Sequence, residues 1–400
     1  MNIVPIVRLA ARGDGATEDG RHVRLAAPGD MVADDGSVQP GPHHVAPPCR
    51  HFPTCGGCQL QHVDDAAYAD FLSDRIVGAL HAQKLDAPDM LPAHLSPPRS
   101  RRRVSLRAER MGRRIVLGFN EGASHRIVDM RQCEIMAPEL FALIEPLRTL
   151  LATLVPNRRA AGVQMTMTDQ GVDLAIEKVQ AEGLEAAELL TAFAQDRGLA
   201  RLSIDQGFGM ETRWEPDAVT ITLAGVPVPF PVSAFLQATV DGEAALVDAV
   251  RAIIGHTETA ADLFAGLGTF ALALEGKVLA VEGARDPALA LKTAVSRTQR
   301  QIAVEHRDLF RRPLSTEELN RFDAVVLDPP RSGAREQVEE LARSRVSRVA
   351  YVSCNPATFA RDARAMIDGG YQLNSIQPVG QFRWSTHAEL VGRFIKTADI

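Results

Sequence analysis

The chain has 400 residues, of which 46% are apolar and 24% are charged, and its formal net charge is -6. These values are ordinary for a soluble globular protein of two or three domains, and the negative total excludes a chain that binds nucleic acid over its whole surface. No apolar run approaches the length of a membrane span and the N-terminus lacks a signal-peptide pattern, so we expect a cytoplasmic protein.

Residues 1–44 contain short β-like pieces at residues 3–10 and 22–25, separated by turns rich in Gly and Asp. These pieces are too few for an independent barrel. The sequence therefore predicts a small β module that leans on the next domain, and a proline-rich linker follows at residues 40–48.

Four of the five cysteines lie in the first third of the chain. Three of them share one tight loop, Cys49-Arg-His-Phe-Pro-Thr-Cys55-Gly-Gly-Cys58, and Cys133 would supply a fourth ligand. Because disulfides are not expected in the cytoplasm, this spacing indicates a metal site. Four thiolates suit either tetrahedral zinc or an iron–sulfur cluster. Zinc sites more often pair two C-x2-C motifs, and this chain has one, so the spacing favours iron–sulfur.

A predicted α+β domain covers residues 45–230. It contains helices at residues 64–84, 138–154 and 184–195, and strands that include 162–168 and 172–178. Eight arginines between Arg99 and Arg114 lie on a predicted β-ribbon with a single acid, Glu109. Such a face suits phosphate contacts, but acids elsewhere in the fold could equally balance its charge.

Residues 231–400 alternate between strand and helix. A long helix is predicted at residues 233–254 and is followed by seven strands. This order predicts a doubly wound α/β sheet, and the closing antiparallel pair is typical of the seven-stranded, Rossmann-like methyltransferase sheet. The strands are predicted at residues 259–264, 277–281, 302–306, 322–327, 346–352, 372–378 and 389–396.

A candidate nucleoside site follows the first strands of this sheet. The loop Asp262-Leu-Phe-Ala-Gly266-Leu-Gly268-Thr269 is expected to open a helix, and its glycines let the backbone approach a ligand closely. Glu282 could accept hydrogen bonds from ribose hydroxyls. Asp308 could bind the adenine amine or cap a helix. No third glycine follows at dinucleotide spacing, so S-adenosylmethionine fits better than NAD.

Cys354 ends the fifth strand in Ser353-Cys-Asn-Pro356, and Asp328-Pro-Pro-Arg331 ends the fourth. A lone cysteine can be a buried filler, but a thiolate can also add to carbon 6 of a pyrimidine and so activate carbon 5 to take a methyl group. A base must then remove the carbon 5 proton. Glu389, at the start of the last strand, is the candidate for that base.

Four motifs carry a family resemblance: Cys55-Gly-Gly-Cys58-x-x-Gln-His62, Phe235-Leu-Gln237, Asp328-Pro-Pro-Arg331 and Ser353-Cys-Asn-Pro356. Through them the chain resembles the S-adenosylmethionine-dependent RNA uracil-5-methyltransferases over nearly its whole length, and specifically the iron–sulfur branch that acts on 23S ribosomal RNA.

The resemblance implies that Cys354 is the nucleophile and that Glu389 is the proton acceptor. It also implies that Gln237, Phe264, Glu282 and Asp328 contact the methyl donor, with Gln237 and Asp328 also near the uracil. The four early cysteines would hold a 4Fe-4S cluster that is structural or that helps fold RNA against the protein. We expect a monomer whose partner is RNA.

The chain departs from the family pattern at three places. The N-terminal TRAM-type barrel of the family is truncated here, and Arg8 to Val32 keeps a fragment of it. The family usually has Asn at the position of Thr269 and near Thr239. Before Glu389 it tends to have Asp-Gln-Phe-Pro, where this chain has Gly380-Gln-Phe-Arg383. A transfer-RNA uracil-5-methyltransferase and a non-catalytic iron–sulfur RNA-binding protein remain the alternatives.

Overall fold

A computed structural model describes residues 3–397. Its N-terminal part is a curled antiparallel sheet of five short strands with the order β3-β2-β1-β4-β5. Ile6, Ala26 and Val32 form its small core, while Leu9 and Ala27 pack against apolar residues of the next segment. The sheet therefore leans on its neighbour as predicted. Its strands are β1 (Ile3–Leu9), β2 (Gly15–Thr17), β3 (His22–Val23), β4 (Met31–Ala33) and β5 (Val38–Gln39).

The next segment contains one long helix and two very short strands. Helix α1 (Asp65–Ala82) begins after Asp64, whose carboxylate accepts a hydrogen bond from the backbone N–H of Ala67 at 2.9 Å and so caps the helix. Strands β6 (Asp89–Met90) and β7 (His94–Leu95) follow. The predicted helix at residues 64–84 is thus confirmed to within two residues at its end.

The middle of the chain forms a six-stranded sheet with the order β13-β12-β11-β10-β8-β9, and only β11 and β12 pair in parallel. Its core holds Leu106, Val163 and Leu174 against Leu147 and Leu151 of a helix. The elements are β8 (Arg103–Met111), β9 (Arg114–Gly118), α2 (Pro138–Phe141), α3 (Ile144–Leu154), β10 (Ala160–Thr168), β11 (Gly171–Glu177), α4 (Gly183–Asp196), β12 (Arg201–Asp205), β13 (Met210–Trp214) and a separate hairpin, β14 (Thr220–Leu223) with β15 (Val226–Pro229).

The C-terminal part is an α/β sheet whose strand order is β18-β17-β16-β19-β20-β22-β21-β6, and β7 also pairs with β21. All seven predicted strands are present, but β6 and β7 enlarge the sheet to nine, which corrects the predicted count. The elements are α5 (Val240–Ile254), β16 (Thr259–Leu263), β17 (Lys277–Glu282), α6 (Arg285–Val295), β18 (Ile302–His306), α7 (Thr316–Leu319), β19 (Ala324–Leu327), α8 (Arg335–Arg343), β20 (Arg348–Ser353), α9 (Pro356–Asp368), β21 (Tyr371–Gly380) and β22 (Glu389–Lys396).

The long helix predicted at residues 233–254 is wrong over its first turns, because α5 begins at Val240. Ser233 has a positive φ of 59°, which an α-helix does not allow. Thr239 is extended, and its hydroxyl accepts from the N–H of Gly242 at 3.1 Å, as an N-cap residue does. Residues 233–239 therefore form a non-helical segment that leads into the helix.

Helix α1 belongs to the packing of the C-terminal sheet. Ile76 and Leu80 share a core with Val325, Tyr351 and Phe359, and α1 contacts α9 directly. The division into domains at residues 1–44, 45–230 and 231–400 stays a prediction, since α1, β6 and β7 connect the second of these ranges to the third. Within residues 3–397 no helix combines the length and apolar character that crossing a membrane requires.

Candidate active site

Strand register brings the predicted catalytic residues to one edge of the C-terminal sheet. Leu327 pairs with Leu263 on one side and with Tyr351 on the other, all in parallel, so Phe264 and Asp328 follow at the same edge. Ser353 pairs with Leu390 in the antiparallel β22. Cys354 and Glu389 therefore occupy facing positions at the carboxyl end of β20, where sheets of this type bind ligands.

The chain around Cys354 is fixed by short hydrogen bonds. The Ser353 hydroxyl accepts from the N–H of Asn355 at 3.1 Å, and the Asn355 side chain caps α9 while donating to the Arg331 carbonyl at 2.9 Å. The thiol itself is partly exposed. Burial raises the pKa of Cys354, the Glu389 and Asp328 carboxyls raise it further, and Arg331 opposes them.

Glu389 is almost completely buried, with 6% of its surface exposed. Burial raises the pKa of Glu389 to about 7, while a hydrogen bond from Gln381 and the nearby Arg103 guanidinium act in the opposite direction. A carboxyl with a pKa near neutrality can both take up and release a proton at physiological pH. This is the property that a general base needs.

Gln237 lies beside Glu389 through the side chain of Gln381. The Gln381 amide donates to the Glu389 carboxylate and to Oε1 of Gln237, the latter at 2.6 Å, and it accepts from the N–H of Ala238 at 2.7 Å. Arg102 donates to the Gln237 carbonyl at 3.1 Å. Sequence reasoning missed the role of Gln381, for which only the altered loop drew notice. It placed Arg103 in the basic patch and did not predict that Arg103 lies near Glu389.

The glycine loop after β16 turns sharply. Phe264, Gly266 and Gly268 all have positive φ, at 66°, 54° and 91°, and Phe264 is strained since it is not glycine. A Cβ on Gly268 would lie 2.4 Å from a methyl group of Leu291, which would have to move, and the positive φ also favours glycine there. The predicted helix after the half-buried Thr269 is only a single 3-10 turn, Ala271–Ala273.

The acids near this loop are held by backbone groups. Glu282 accepts from the N–H groups of Gly266 and Ala284, at 2.7 and 2.6 Å. Asp262 is fully buried; one of its oxygens accepts from Ala271 at 2.7 Å while the other has no partner in residues 3–397, and burial raises its pKa to about 7. Burial, together with Glu389, Asp262 and Glu282, also raises the pKa of Asp328 well above its usual value.

Asp308 follows β18 and closes a local turn. Its carboxylate accepts from the N–H groups of Phe310 and Arg311, at 3.0 and 3.4 Å, and pairs with the Arg311 side chain at 3.4 Å. Asp308 therefore caps a turn and not a helix, since the next helix, α7, begins at Thr316, and adenine binding stays a prediction. The Phe310 ring, which sequence reasoning also missed, lies 5.4 Å from the Phe264 ring between centroids, so two aromatic faces border this loop.

The four early cysteines line one cavity together with Phe52 and Phe119. Burial raises the pKa of the Cys55, Cys58 and Cys133 thiols, that of Cys58 to about 12. Within residues 3–397, however, no three His, Cys, Asp or Glu side chains are arranged around the position of a single metal ion. The cysteines are thus brought together as predicted, but not as a closed single-ion site.

Ion pairs take up much of the predicted basic patch. Arg99 pairs with Glu134 at 2.9 Å, Arg102 with Glu243 at 2.6 Å, and Arg114 with Asp129. For these three arginines, acids from elsewhere in the fold balance the positive charge, as the alternative interpretation of the patch expects. Arg101 instead lies over the ring of Phe382, at 5.1 Å from its centroid.

Residues 49–60, which we call the cysteine loop, hold the loop that precedes Glu389. The N–H groups of Gln59 and Leu60 both donate to the Trp384 carbonyl, at 2.7 and 2.9 Å. The Tyr68 hydroxyl donates to the Phe382 carbonyl at 3.1 Å. Residues 381–388, which we call the base loop, are therefore anchored from outside the C-terminal sheet.

Known proteins resemble this chain in sequence over most of its length. The family model for tRNA (uracil-5-)-methyltransferases matches residues 233–397. The chain is 52% identical over 393 residues to an uncharacterized RNA methyltransferase of Zymomonas mobilis, covering 98% of this chain and 99% of the relative. It is 31% identical to the 23S rRNA (uracil(1939)-C(5))-methyltransferase RlmD of Edwardsiella ictaluri, covering 96% of this chain and 88% of that enzyme.

The fold has a solved counterpart. The tRNA (uracil-54, C5)-methyltransferase of Pyrococcus abyssi, crystallised with S-adenosyl-L-homocysteine, superposes with a TM-score of 0.73 over 98% of this chain and 100% of that one, at 20% identity. This likeness shows a mixed α/β methyltransferase fold. Together with the sequence relatives, it leads to one conclusion: the chain belongs to the S-adenosylmethionine-dependent RNA uracil-5-methyltransferase family.

Proposed function

We propose that this enzyme methylates carbon 5 of a uridine in 23S ribosomal RNA through a covalent adduct with Cys354, and that Glu389 removes the carbon 5 proton. The observation that carries the proposal is the facing position of these two residues across the β20–β22 pair, beside the Asp328 loop. The RlmD relative and the four clustered cysteines favour ribosomal over transfer RNA. A cytoplasmic location follows from this substrate.

The proposed chemistry needs two residues of the chain. The Cys354 thiolate forms a bond to carbon 6 of the uracil, and the electrons of the C5–C6 double bond move to carbon 5. Carbon 5 then takes the methyl group whose bond to the donor sulfur breaks, which leaves S-adenosylhomocysteine. Glu389 accepts the carbon 5 proton; the double bond re-forms, and the Cys354 thiolate leaves.

S-adenosylmethionine supplies the methyl group in this reaction. The strained glycine loop, the aromatic pair of Phe264 and Phe310, and the orphaned oxygen of Asp262 fit a nucleoside ligand at this edge of the sheet. The raised pKa of Asp328 lets its carboxyl donate as well as accept a hydrogen bond. The proposed donor-binding residues are Gln237, Phe264, Gly266, Gly268, Thr269, Glu282, Asp308 and Asp328.

We further propose that Cys49, Cys55, Cys58 and Cys133 hold a 4Fe-4S cluster. The donor set fits, because four thiols from two distant segments line one largely apolar cavity. The raised pKa values of Cys55, Cys58 and Cys133 mean that a bound cationic centre must keep these three thiols deprotonated. A cluster bound to these four thiols would link residues 49–58 to residue 133. The curled N-terminal sheet fits a truncated TRAM-like module.

Fluorinated substrate tests this function. RNA that carries 5-fluorouridine should accumulate as a covalent adduct with the wild-type protein, because fluorine at carbon 5 cannot leave as the proton does. Cys354→Ala should form no adduct and should lose methylation by at least about 1,000-fold. Cys133→Ala, which alters a cysteine of the other site, should still form the adduct if it folds.

The substrate is identified by mass mapping of 5-methyluridine in ribosomal and transfer RNA from cells with and without the protein. A nucleoside that disappears from 23S RNA supports the proposal. Its disappearance from transfer RNA alone would establish the transfer-RNA alternative, and normal methylation by Cys354→Ala would rule out the covalent mechanism.

A further inference from the structure

Gln381 is a buried amide whose polar groups are all engaged. It follows the end of β21, and only 2% of its surface is exposed. Its oxygen accepts from the Ala238 N–H, and its nitrogen donates both to Gln237 and to Glu389. A buried polar side chain with this many fixed partners holds those partners in place, because each lost bond would leave a polar group unpaired.

The orientation of the Gln381 amide follows from its contact with the Ala238 N–H. A backbone N–H can only donate, so the atom of Gln381 that faces Ala238 must be its oxygen. The amide nitrogen then lies on the opposite side, where it meets the Glu389 carboxylate and Oε1 of Gln237. Gln237 is left with its Nε2 group, for which residues 3–397 provide no hydrogen-bond partner.

The hydrogen bond to Glu389 and the hydrogen bond to Gln237 both bear on the proposed reaction. Glu389 also faces the Asp328 carboxyl and the Cys354 thiol, whose pKa values are raised, and the cationic Arg103. Within residues 3–397, Gln381 is the one neutral side chain that donates a hydrogen bond to the Glu389 carboxylate. An N–H group presented by Gln237 suits a carbonyl oxygen. Uracil carries such an oxygen at carbon 4, whereas cytosine carries an amino group there.

We propose that Gln381 is a positioning residue, which holds Glu389 for the proton transfer and fixes Gln237 as a hydrogen-bond donor toward the target base. This inference rests on the proposed function, since it assumes that Glu389 is the base. Gln381 touches neither substrate nor donor in this account and acts only through its two partners.

The experiment compares Gln381→Met and Gln381→Glu with the wild type. Met keeps the size of the side chain and removes every hydrogen bond, whereas Glu keeps an acceptor for Ala238 and removes both donations. Gln372→Met, at an exposed position of β21, is the matched control. Turnover on uridine RNA should fall about 10- to 100-fold in both Gln381 variants and stay unchanged in the control.

Two further readouts separate positioning from a merely structural role. The acid limb of the kcat profile should move to higher pH, because the lost donor had favoured the charged form of Glu389, and it should move further in Gln381→Glu, where a second carboxylate adds repulsion. At saturating RNA, the adduct with 5-fluorouridine RNA should still form, since that adduct does not require the proton transfer.

The outcomes are distinct. A wild-type protein that forms neither adduct nor 5-methyluridine contradicts the proposed function itself. An active wild type whose folded Gln381 variants keep normal turnover and a normal acid limb contradicts the positioning role. Parallel loss of turnover and adduct with an unmoved acid limb also overturns it, in favour of a structural role. Cooperative thermal unfolding identifies which Gln381 variants are folded. One folded variant is enough to test the positioning role.

Discussion

Glu389 makes the catalytic edge sensitive to pH in a direction that can be worked out. Burial raises the pKa of this carboxyl from 4.5 to about 7. The base must be deprotonated, so turnover should rise as pH increases through about 7. The raised pKa of Cys354 adds to the rise at higher pH, because only the thiolate attacks.

The raised pKa of Glu389 also makes the stability of the fold depend on pH. Stability should fall with rising pH, whereas turnover should rise. The folded state holds the Glu389 proton more tightly than the unfolded state, so the stabilisation is complete below about pH 4.5 and is lost as pH rises through about 7. Glu389→Gln keeps the neutral form at every pH. We therefore expect it to be more stable than the wild type at pH 8, by up to about 3 kcal/mol, with little difference at pH 5.

Urea unfolding of both proteins at the two pH values measures this difference. Glu188→Gln, at an exposed position of α4, is the control and should show no such dependence on pH. A Glu389→Gln variant that is less stable than the wild type at pH 8 would contradict the buried, proton-binding role of this carboxyl.

At the scale of elements, the base loop depends on helix α1. Tyr68 is completely buried, and its hydroxyl donates to the Phe382 carbonyl within that loop. Tyr371, at the far end of β21, donates in the same manner to the Val346 carbonyl at 2.7 Å. The two tyrosines thus make equivalent bonds at opposite ends of the sheet.

Replacing each tyrosine with phenylalanine separates stability from catalysis. Tyr68→Phe and Tyr371→Phe should each lose about 1–2 kcal/mol of unfolding free energy, because each removes the hydrogen bond that a buried tyrosine hydroxyl donates to a backbone carbonyl. Only Tyr68→Phe should also reduce kcat, since Phe382 adjoins Gln381. Equal kcat values in the two variants would show that the hydrogen bond from Tyr68 to the base loop does not affect catalysis.

The sequence predicts elements better than it predicts contacts between them. Strands such as β16 and β19 are short apolar runs bounded by turn residues, so their positions and the edge that carries Cys354 could be predicted. The start of α5 could not be predicted, because the non-helical residues 233–239 carry no local signal that separates them from a first helical turn. Gln381 was missed since its partner Gln237 is 144 positions away.

At the scale of the whole molecule, the cysteine site joins parts of the chain that are distant in sequence. Cys133 lies near Cys58, and the cysteine loop bonds to the base loop. A purified sample should therefore be brown and contain about four irons and four sulfides per chain. Removing the metal with a chelator should lower the melting temperature of the entire protein.

Metal and sulfide analysis, followed by calorimetry of the chelated sample, provides the measurement. A colourless protein with one zinc per chain would replace the cluster with a zinc site. An unchanged melting temperature after complete metal removal would contradict the link between the cysteine loop and the rest of the fold.

The hydrogen bonds from Gln59 and Leu60 to Trp384 involve backbone atoms at all three positions. Side-chain substitution therefore cannot easily abolish them, whereas an insertion or deletion in either loop would. We therefore expect the two loops to keep matching lengths among relatives, although they lie far apart in the sequence. A recombinant that joins the first half of one relative to the catalytic sheet of another should work only where both loops descend from parents with the same spacing.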